Sequence, residues 1–353
     1  MSMKKRLRRL TKNPPVWAKR LGRNDVVTAS RVGIPRNLSG RPFPHRMNRG
    51  DLVRTLDDVR PTLTGTGLTE YSVSEMSDFD VGLLWERGLS LGHNPEYTAH
   101  GKSIFIDPYE RRTVVVNELD HIWMITARAG NRLRDCVFEA VAMEDEISCS
   151  HPFAANDRDG FLTSWVEQHG TGVRLSIIIF IPAVTLEARE DFSAEVERRG
   201  LLFAGPFGIG TMPENPPLGG SLMQIWCHSV NEEGTANNLV MMEDFIRYVT
   251  ALELECRENL SLGSLDIIAR MWGILSNRLT ADESDTMASL ELGLLGAWNG
   301  IIDDFEIPNI QKLFYLCLDG HLMSCYTGRK KIDTDIVRAN FVKSCVTGES
   351  TSG

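Results

Sequence analysis

Two stretches have the residue types that cradle phosphates: Gly101-Lys102-Ser103, and the glycine-rich run Gly205-Pro206-Phe207-Gly208-Ile209-Gly210. A phosphate-binding loop needs another glycine five positions earlier and a helix afterwards, because backbone N–H groups at a helix start hold the anion. Glu96 stands where that glycine belongs, and the following Ser103–Ile106 reads as a strand, so the first stretch is rejected. The second has its glycines in the wrong order for a dinucleotide turn and no strand-to-helix switch around it. His93, His100, His121, His151 and His169 show no spacing that a metal would require. The seven cysteines are odd in number and form no CxxC pair, which argues for reduced thiols rather than a disulfide framework or a zinc site.

The elements that would position any site follow from periodicity. A short strand over 26–30 leads into Arg31 and a turn-rich Pro35-Arg36-Asn37. Residues 78–91 have helical apolar spacing, with Phe79, Val81, Leu83, Leu84 and Leu89 on it. Strand-like runs follow at 103–106, 113–116 and 122–126, the first two joined by the charged segment 107–112. A long helix is expected over 131–147. The run 175–181 is almost wholly β-branched and reads as a strand buried on both faces. Strands at 201–204 and 222–228 and a helix over 235–256 complete the middle of the chain; beyond Gly263 the pattern is helical throughout. The fold class is therefore α+β: a sheet flanked by helices, then a helical C-terminal domain.

At 353 residues the chain exceeds the usual size of one core. The boundaries read as a basic N-terminal arm (1–23), an α+β domain (24–258), a helical domain (259–346) and a disordered tail (347–353). The arm has nine Lys/Arg and no acid before Asp25, and is expected to be a solvated, partly disordered tail. It lacks the apolar stretch of a secretory signal, and no apolar run approaches the ~20 residues of a membrane span. Cytoplasmic location is the resulting expectation. A formal charge of −9 gives no reason to expect nucleic acid as a partner.

Several segments, in order and at compatible separations, resemble one family. Ser30-Arg31-Val32-Gly33-Ile34-Pro35-Arg36-Asn37 with Pro42-Phe43-Pro44, then Asn117-Glu118-Leu119-Asp120-His121, then Gly160-Phe161-Leu162-Thr163-Ser164 with Gly170-Thr171-Gly172-Val173-Arg174-Leu175-Ser176, are similar to motifs of the ATP:guanidino phosphotransferases. The layout most resembles bacterial protein-arginine kinases, without the small helical N-terminal domain of animal phosphagen kinases. Leu84-Trp85-Glu86-Arg87 fits the intervening helix, and Trp272-Gly273-Ile274-Leu275-Ser276-Asn277 a segment of the helical region. The resemblance implies an antiparallel sheet flanked by helices, then a helical domain that in the family mediates dimerisation and substrate recognition.

Phosphoryl transfer to a guanidinium needs arginines to neutralise the triphosphate, and a carboxylate to orient the guanidinium and take its proton. Of five phosphate-binding arginines that the resemblance implies, Arg31 and Arg174 persist, while the others fall on Gly33, Trp123 and Ala204. The family's catalytic Glu falls on Leu119, its reactive Cys on Trp165 and a further Glu on Ile209. If 117–123 ran as a strand, Leu119, His121 and Trp123 would share one face and make the cleft apolar. Arg31 and Arg174 read equally as anion ligands or as structural ion-pair partners. Glu118, Asp120 and Glu167 are the nearby carboxylates that a remodelled site would need. Near the C-terminus, Asp335 and Arg338 match part of a phosphoarginine-binding motif whose first arginine is Thr334; an ordinary amphipathic helix is the preferred reading there.

The leading expectation is thus a protein-arginine-kinase-like pseudokinase, a scaffold or regulatory subunit that is homodimeric or paired with a protein partner. An active ATP-dependent protein-arginine kinase with a remodelled site, and a phosphoarginine-binding module reading an arginine-phosphorylated protein, are the alternatives. Magnesium-ATP is the implied cofactor only if the nucleotide site survives.

Overall fold

The computed structural model describes residues 3–90, 101–205, 220–229, 231–275, 277–303, 306–325 and 333–347. Its centre is an eight-stranded sheet: β1 (Val27–Arg36), β2 (Thr69–Ser72), β3 (Ser103–Ile106), β4 (Arg112–Val116), β5 (Ile122–Ala129), β8 (Val173–Phe180), β9 (Leu202–Ala204) and β10 (Leu222–Ser229). The strands run in the order β2-β3-β4-β5-β1-β8-β10-β9, and every neighbouring pair is antiparallel. A two-stranded ribbon, β6 (Ala155–Asn156) and β7 (Gly160–Phe161), stands beside it. β8 is buried along its whole length, as its β-branched run predicts.

β1 differs from expectation. The turn read at Pro35-Arg36-Asn37 begins two residues too early: β1 spans ten residues and carries Pro35 and Arg36 within it. Pairing on both sides, with β5 and β8, holds this segment extended despite its turn-forming composition. Alternation then divides the sheet. Val32, Ile34, Met124, Leu175 and Ile177 join α4 (Leu133–Ser148) and α7 (Glu232–Glu258) in the main core, where Cys136, Ala140, Met143, Phe245 and Val249 sit at helical spacing. The opposite face bears Arg31, Gly33, Trp123, Arg174 and Trp226.

Helices α2 (Arg49–Gly65) and α3 (Asp78–Glu86) start on side-chain caps: Asn48 accepts from the Asp51 N–H, and Ser77 and Asp80 form a reciprocal capping box. After β8 come α5 (Pro182–Glu187) and α6 (Arg189–Arg198). The C-terminal helices α8 (Leu262–Leu275), α9 (Glu283–Trp298), α10 (Ile307–Leu316) and α12 (Thr334–Thr347) share the main core with the sheet, while α11 (Asp319–Cys325) packs against α3. Phe180 at the end of β8 makes edge-to-face contacts with both Trp298 and Phe314.

The N-terminal arm is packed, contrary to the expectation of a solvated tail. It holds a helix, α1 (Met3–Leu10), whose Leu7 and Leu10 are buried against Leu83 and Leu84 in a second core, while Val16, Trp17 and Leu21 enter the main one. Trp17 Nε1 donates to the Glu86 carbonyl at 2.9 Å, and Asn13 accepts from Arg87. Apolar residues set among the cations give the arm a buried side, so its charge density does not keep it in solvent.

Candidate functional site

The segment 117–121 is not a strand. It is a bend that closes the β4–β5 hairpin, with Asn117 at φ 56° and its N–H donating to the His121 carbonyl. The alternation expected across 117–123 therefore begins only at Ile122. Leu119 and Trp123 do not share one strand face; Leu119 is half-buried in the bend, and Trp123 is 2 % exposed in β5. Asn117 explains the break, because Asn tolerates the left-handed conformation and its side-chain amide donates to the carbonyls of Leu52 and Gly101.

A buried polar network fixes this bend. Asp120 accepts from Asn37 Nδ2 at 2.6 Å and from the Ser164 N–H at 2.7 Å, and Asn37 Oδ1 accepts from the His121 N–H. Burial raises the Asp120 carboxyl above its ordinary range, and burial lowers the His121 imidazole to about 4. Ser164 Oγ donates to the Leu119 carbonyl at 2.6 Å. Three segments that lie 40 to 130 residues apart in sequence thus meet at one place, and the two positions read as a missing base and a missing thiol, Leu119 and Trp165, flank the same Ser164 contact. Trp165 is half-buried, with its carbonyl accepting from Thr163 Oγ1. The third such position, Ile209, lies outside the described residues.

Two of the three nearby carboxylates are engaged in the protein, and the side chain of the third, Glu167, lies outside the described residues. Glu118 is buried in an ion pair with Lys102, and Asp120 is held as above. Both groups therefore serve the bend.

On the sheet face beside this bend, β1 and β8 bring together four positions. Arg31 pairs with Ser176 and Gly33 with Arg174, so the two arginines are diagonal neighbours on one face. Trp123, opposite Pro35, leans over Gly33: a Cβ there would lie 3.0 Å from the indole nitrogen. Of the positions read as lost arginines, one is thus an absent side chain and another is the ring that takes its space. Ala204, the third, is buried in β9 two strands from β1's partner β8.

Arg31 and Arg174 are each 4 % exposed. Among the described residues, Arg31 Nη2 and Arg174 Nε and Nη2 have no hydrogen-bond partner. Burial, aided by the like charge of Arg174, lowers the Arg31 guanidinium to about 9; burial lowers Arg174 to about 9 as well. No carboxylate is among the charges acting on either, so the reading of the pair as structural ion-pair partners finds no counterpart among the described residues. Two unit charges at the ~7–8 Å of diagonal strand neighbours repel by about 2 kcal/mol at an effective dielectric of ~20. Two features offset part of this. The Arg174 guanidinium lies 4.3 Å over the Trp226 ring. Just past the C-terminus of α3 stands Gly88 (φ 73°), where a Cβ would lie 3.3 Å from Arg31 Nη1, so glycine admits the guanidinium to the negative end of a helix.

Trp226 and Gln224 were missed in the sequence, although alternation along β10 is enough to put 224, 226 and 228 on one face. Only the β8–β10 register shows that this is the arginine face. Gln224 is fully buried, and neither polar atom of its amide has a partner among the described residues.

Asp335 and Arg338 are far simpler. Arg338 is 1 % exposed and donates to the Cys317 carbonyl (2.8 Å), the Ala281 carbonyl (2.6 Å), Asp335 Oδ1 (2.7 Å) and the Asp319 carboxylate. All three guanidinium nitrogens are occupied, which leaves no fork for a phosphoryl group. These contacts agree with the structural reading preferred for this pair: Arg338 ties α12 to α11 and to the start of α9.

Comparison with known proteins bears on the whole arrangement. The profile of the ATP:guanido phosphotransferase C-terminal catalytic domain matches residues 57–218. A protein-arginine kinase of Shouchella clausii is 26 % identical over 319 residues, covering 87 % of each chain, and one of Syntrophomonas wolfei is 25 % identical over 82 % of this chain and 86 % of its own. The chain is similar to the ATP:guanido phosphotransferases. Solved kinases of that family share the fold: lombricine kinase (TM-score 0.55, 17 % identity, 70 % of this chain and 73 % of that one) and the substrate-free duplicated taurocyamine kinase of Schistosoma mansoni (TM-score 0.54, 19 % identity, 87 % of this chain). The chain spans about half of the duplicated enzyme, 48 % of it. The expected antiparallel sheet, flanked by helices and followed by a helical region, is the guanido phosphotransferase architecture. Among the described residues no helix is long and apolar enough to cross a membrane.

Proposed function

We propose that this chain is a protein-arginine-kinase-like protein that no longer transfers phosphoryl groups, and that it acts in the cytoplasm as a scaffold or regulatory subunit, as a homodimer or with a protein partner. The observation that carries this reading is the Trp123 indole over Gly33. Two positions that the family resemblance assigns to phosphate arginines have changed together, one losing its side chain and the other filling the vacated room. Random decay of a site leaves holes or clashes; a matched small-large pair on adjacent strands is a packed alternative.

The residues present do not fit a magnesium–nucleoside triphosphate. Two arginines face a chain of three phosphates, and the neighbouring space is occupied by a ring. The guanidinium side is equally bare. Leu119 offers no carboxylate, Glu118 is paired with Lys102, and Asp120 is held by Asn37 and Ser164. Loss of a general base alone lowers a rate by ~10²–10⁴. What supports a retained scaffold is the fold, which resembles solved kinases at TM-scores of 0.54 and 0.55.

The test is incubation of pure protein with magnesium-ATP and an arginine-rich protein substrate, followed by detection of acid-labile phosphoarginine, with an active protein-arginine kinase as reference. The expected result is no product above a no-enzyme control. Phosphoarginine formed by the wild type and lost in Arg174→Ala would refute the proposal in favour of a remodelled active kinase.

A further inference from the structure

The first helix has two faces of different kinds. At the about 100° per residue of an α-helix, Met3, Leu7 and Leu10 fall on one side of α1, where they pack into the second core. Lys5, Arg8 and Arg9 fall on the other side and are exposed, and the exposed Lys12, just past the helix end, continues the row seven residues from Lys5. At about 1.5 Å per residue the cationic stripe is roughly 10 Å long. Its direction is fixed from inside the molecule: Arg6 Nη1 donates to the Glu70 carbonyl at 2.7 Å, and Trp17 Nε1 to that of Glu86. Among the described residues no ion pair engages Lys5, Arg9 or Lys12. Neither helix stability nor solubility accounts for the stripe. A helix is stabilised by acids in its first turn, whereas α1 has none there and carries Lys5 instead. Cations four residues apart, Lys5 with Arg9 and Arg8 with Lys12, repel one another. From Asp25 onward the chain has 29 Lys/Arg against 47 Asp/Glu, a balance of −18, so the arm moves the net charge toward zero rather than away from it.

We propose that the outer face of α1, through Lys5, Arg8, Arg9 and Lys12, docks a short acidic segment of a protein partner. The inference rests on the scaffold reading above in requiring such a partner, and it needs nothing of the nucleotide site. Charge complementarity carries it, and the stripe's length fits one or two turns of a helix with Asp or Glu at i, i+4 and i+7. Three other occupants fit less well. A helix that lies on a membrane sinks its apolar face into the lipid, and the apolar face of α1 is already spent on the second core. A nucleic acid is a longer polyanion that would run off the stripe onto a body of −18, and Trp17, the one aromatic residue before Asp25, is buried and offers no base a stacking surface. A second copy of this chain brings its own charge of −9 with any carboxylates it presents. A short acidic segment supplies the counter-charge without these penalties, and the helix is already ordered to receive it.

The experiment is fluorescence anisotropy of a labelled alanine-based helical peptide with glutamates at i, i+4 and i+7, titrated with the full chain at about 50 mM salt. The same peptide with glutamine for glutamate is the reference. Parallel titrations use single-stranded and duplex DNA and vesicles of phosphatidylserine with phosphatidylcholine, and sedimentation follows the chain alone. The expected outcome is saturable binding of the glutamate peptide, at least tenfold tighter than that of its reference, and lost at about 0.5 M salt. The combined Lys5→Gln, Arg9→Gln and Lys12→Gln variant should bind it about tenfold more weakly, at roughly two- to threefold per charge. These side chains are exposed, so the melting temperature should stay at the wild-type value. Arg158→Gln, at a side chain 93 % exposed on the β6–β7 ribbon, should leave binding unchanged. Absence of saturable binding at about 0.2 mM protein, or binding that the triple variant retains, overturns the proposal. Tighter binding of DNA or of vesicles overturns the choice of partner, as does salt-sensitive self-association that the triple variant abolishes. The phosphoarginine assay is a separate readout: product formed there sinks the pseudokinase reading and leaves the stripe untouched, whereas failure of the peptide titration leaves that reading standing.

Discussion

Exchange of Gly33 for alanine probes whether Trp123 occupies the space that a second arginine would need. The backbone at Gly33 is ordinary strand, so alanine by itself should stabilise by about 0.5–1 kcal/mol through the unfolded state. Against this stands the indole nitrogen 3.0 Å from the new Cβ, with the ring held in a buried cluster with Ile104, Val115 and Ile125. Overpacking of that kind costs about 1–3 kcal/mol. Gly33→Ala should therefore destabilise by about 1 kcal/mol net. Trp123→Leu alone should cost about 2–3 kcal/mol, for the volume lost from a site only 2 % exposed. In the double variant the clash is gone and the alanine should stabilise, giving a coupling energy of about 1.5–2 kcal/mol. Urea unfolding followed by far-ultraviolet circular dichroism measures all four corners of the cycle without depending on tryptophan emission. Additivity within about 0.5 kcal/mol would refute the reasoning, because residues that do not share space do not couple.

Arg338→Ala should destabilise the chain by about 2–5 kcal/mol, as judged by the urea midpoint, because it leaves the buried Cys317 and Ala281 carbonyls without their donor at about 1–3 kcal/mol each. A variant of wild-type stability would return Arg338 to the list of ligand-binding groups. Glu291, fully buried on α9 and accepting from the Ser221 and Leu222 N–H groups, is raised by burial to about 7. A carboxyl raised in the folded state contributes stability that is complete below its unfolded value near 4.3 and is lost as pH rises through about 7. Wild type should lose on the order of 3 kcal/mol from this group between pH 4.5 and 8, and Glu291→Gln should flatten that slope; an unchanged slope would show that the group titrates normally.

The motifs around Arg31, Asp120 and Arg174 were legible because they are short, contiguous and chemically specific, and so was the fold class, since β-branched and amphipathic runs declare their period locally. The boundaries failed where local signals were weak or opposed. Pro35 and Arg36 read as a turn because proline and arginine carry no strand preference, yet two flanking strands hold them extended. The strand face supposed conditionally across 117–123 fails because alternation says nothing about an asparagine with a positive φ.

By itself the sequence determined which residue types stand at the positions that the resemblance aligns with a base, a thiol and three arginines: Leu119, Trp165, Gly33, Trp123 and Ala204. It also determined the strands and helices that carry them. Only the tertiary structure decided what those changes amount to. Gly33 and Trp123 lie 90 residues apart, and nothing but the β1–β5 register makes one the complement of the other. Arg338 and Arg174 look alike as letters. One is surrounded by carboxylates brought from α11 and α12, the other faces a second arginine across adjacent strands. A side chain's charge is local, but its counter-ion and its burial are set by segments far away in the chain, and these decide whether an arginine is a strut or a ligand.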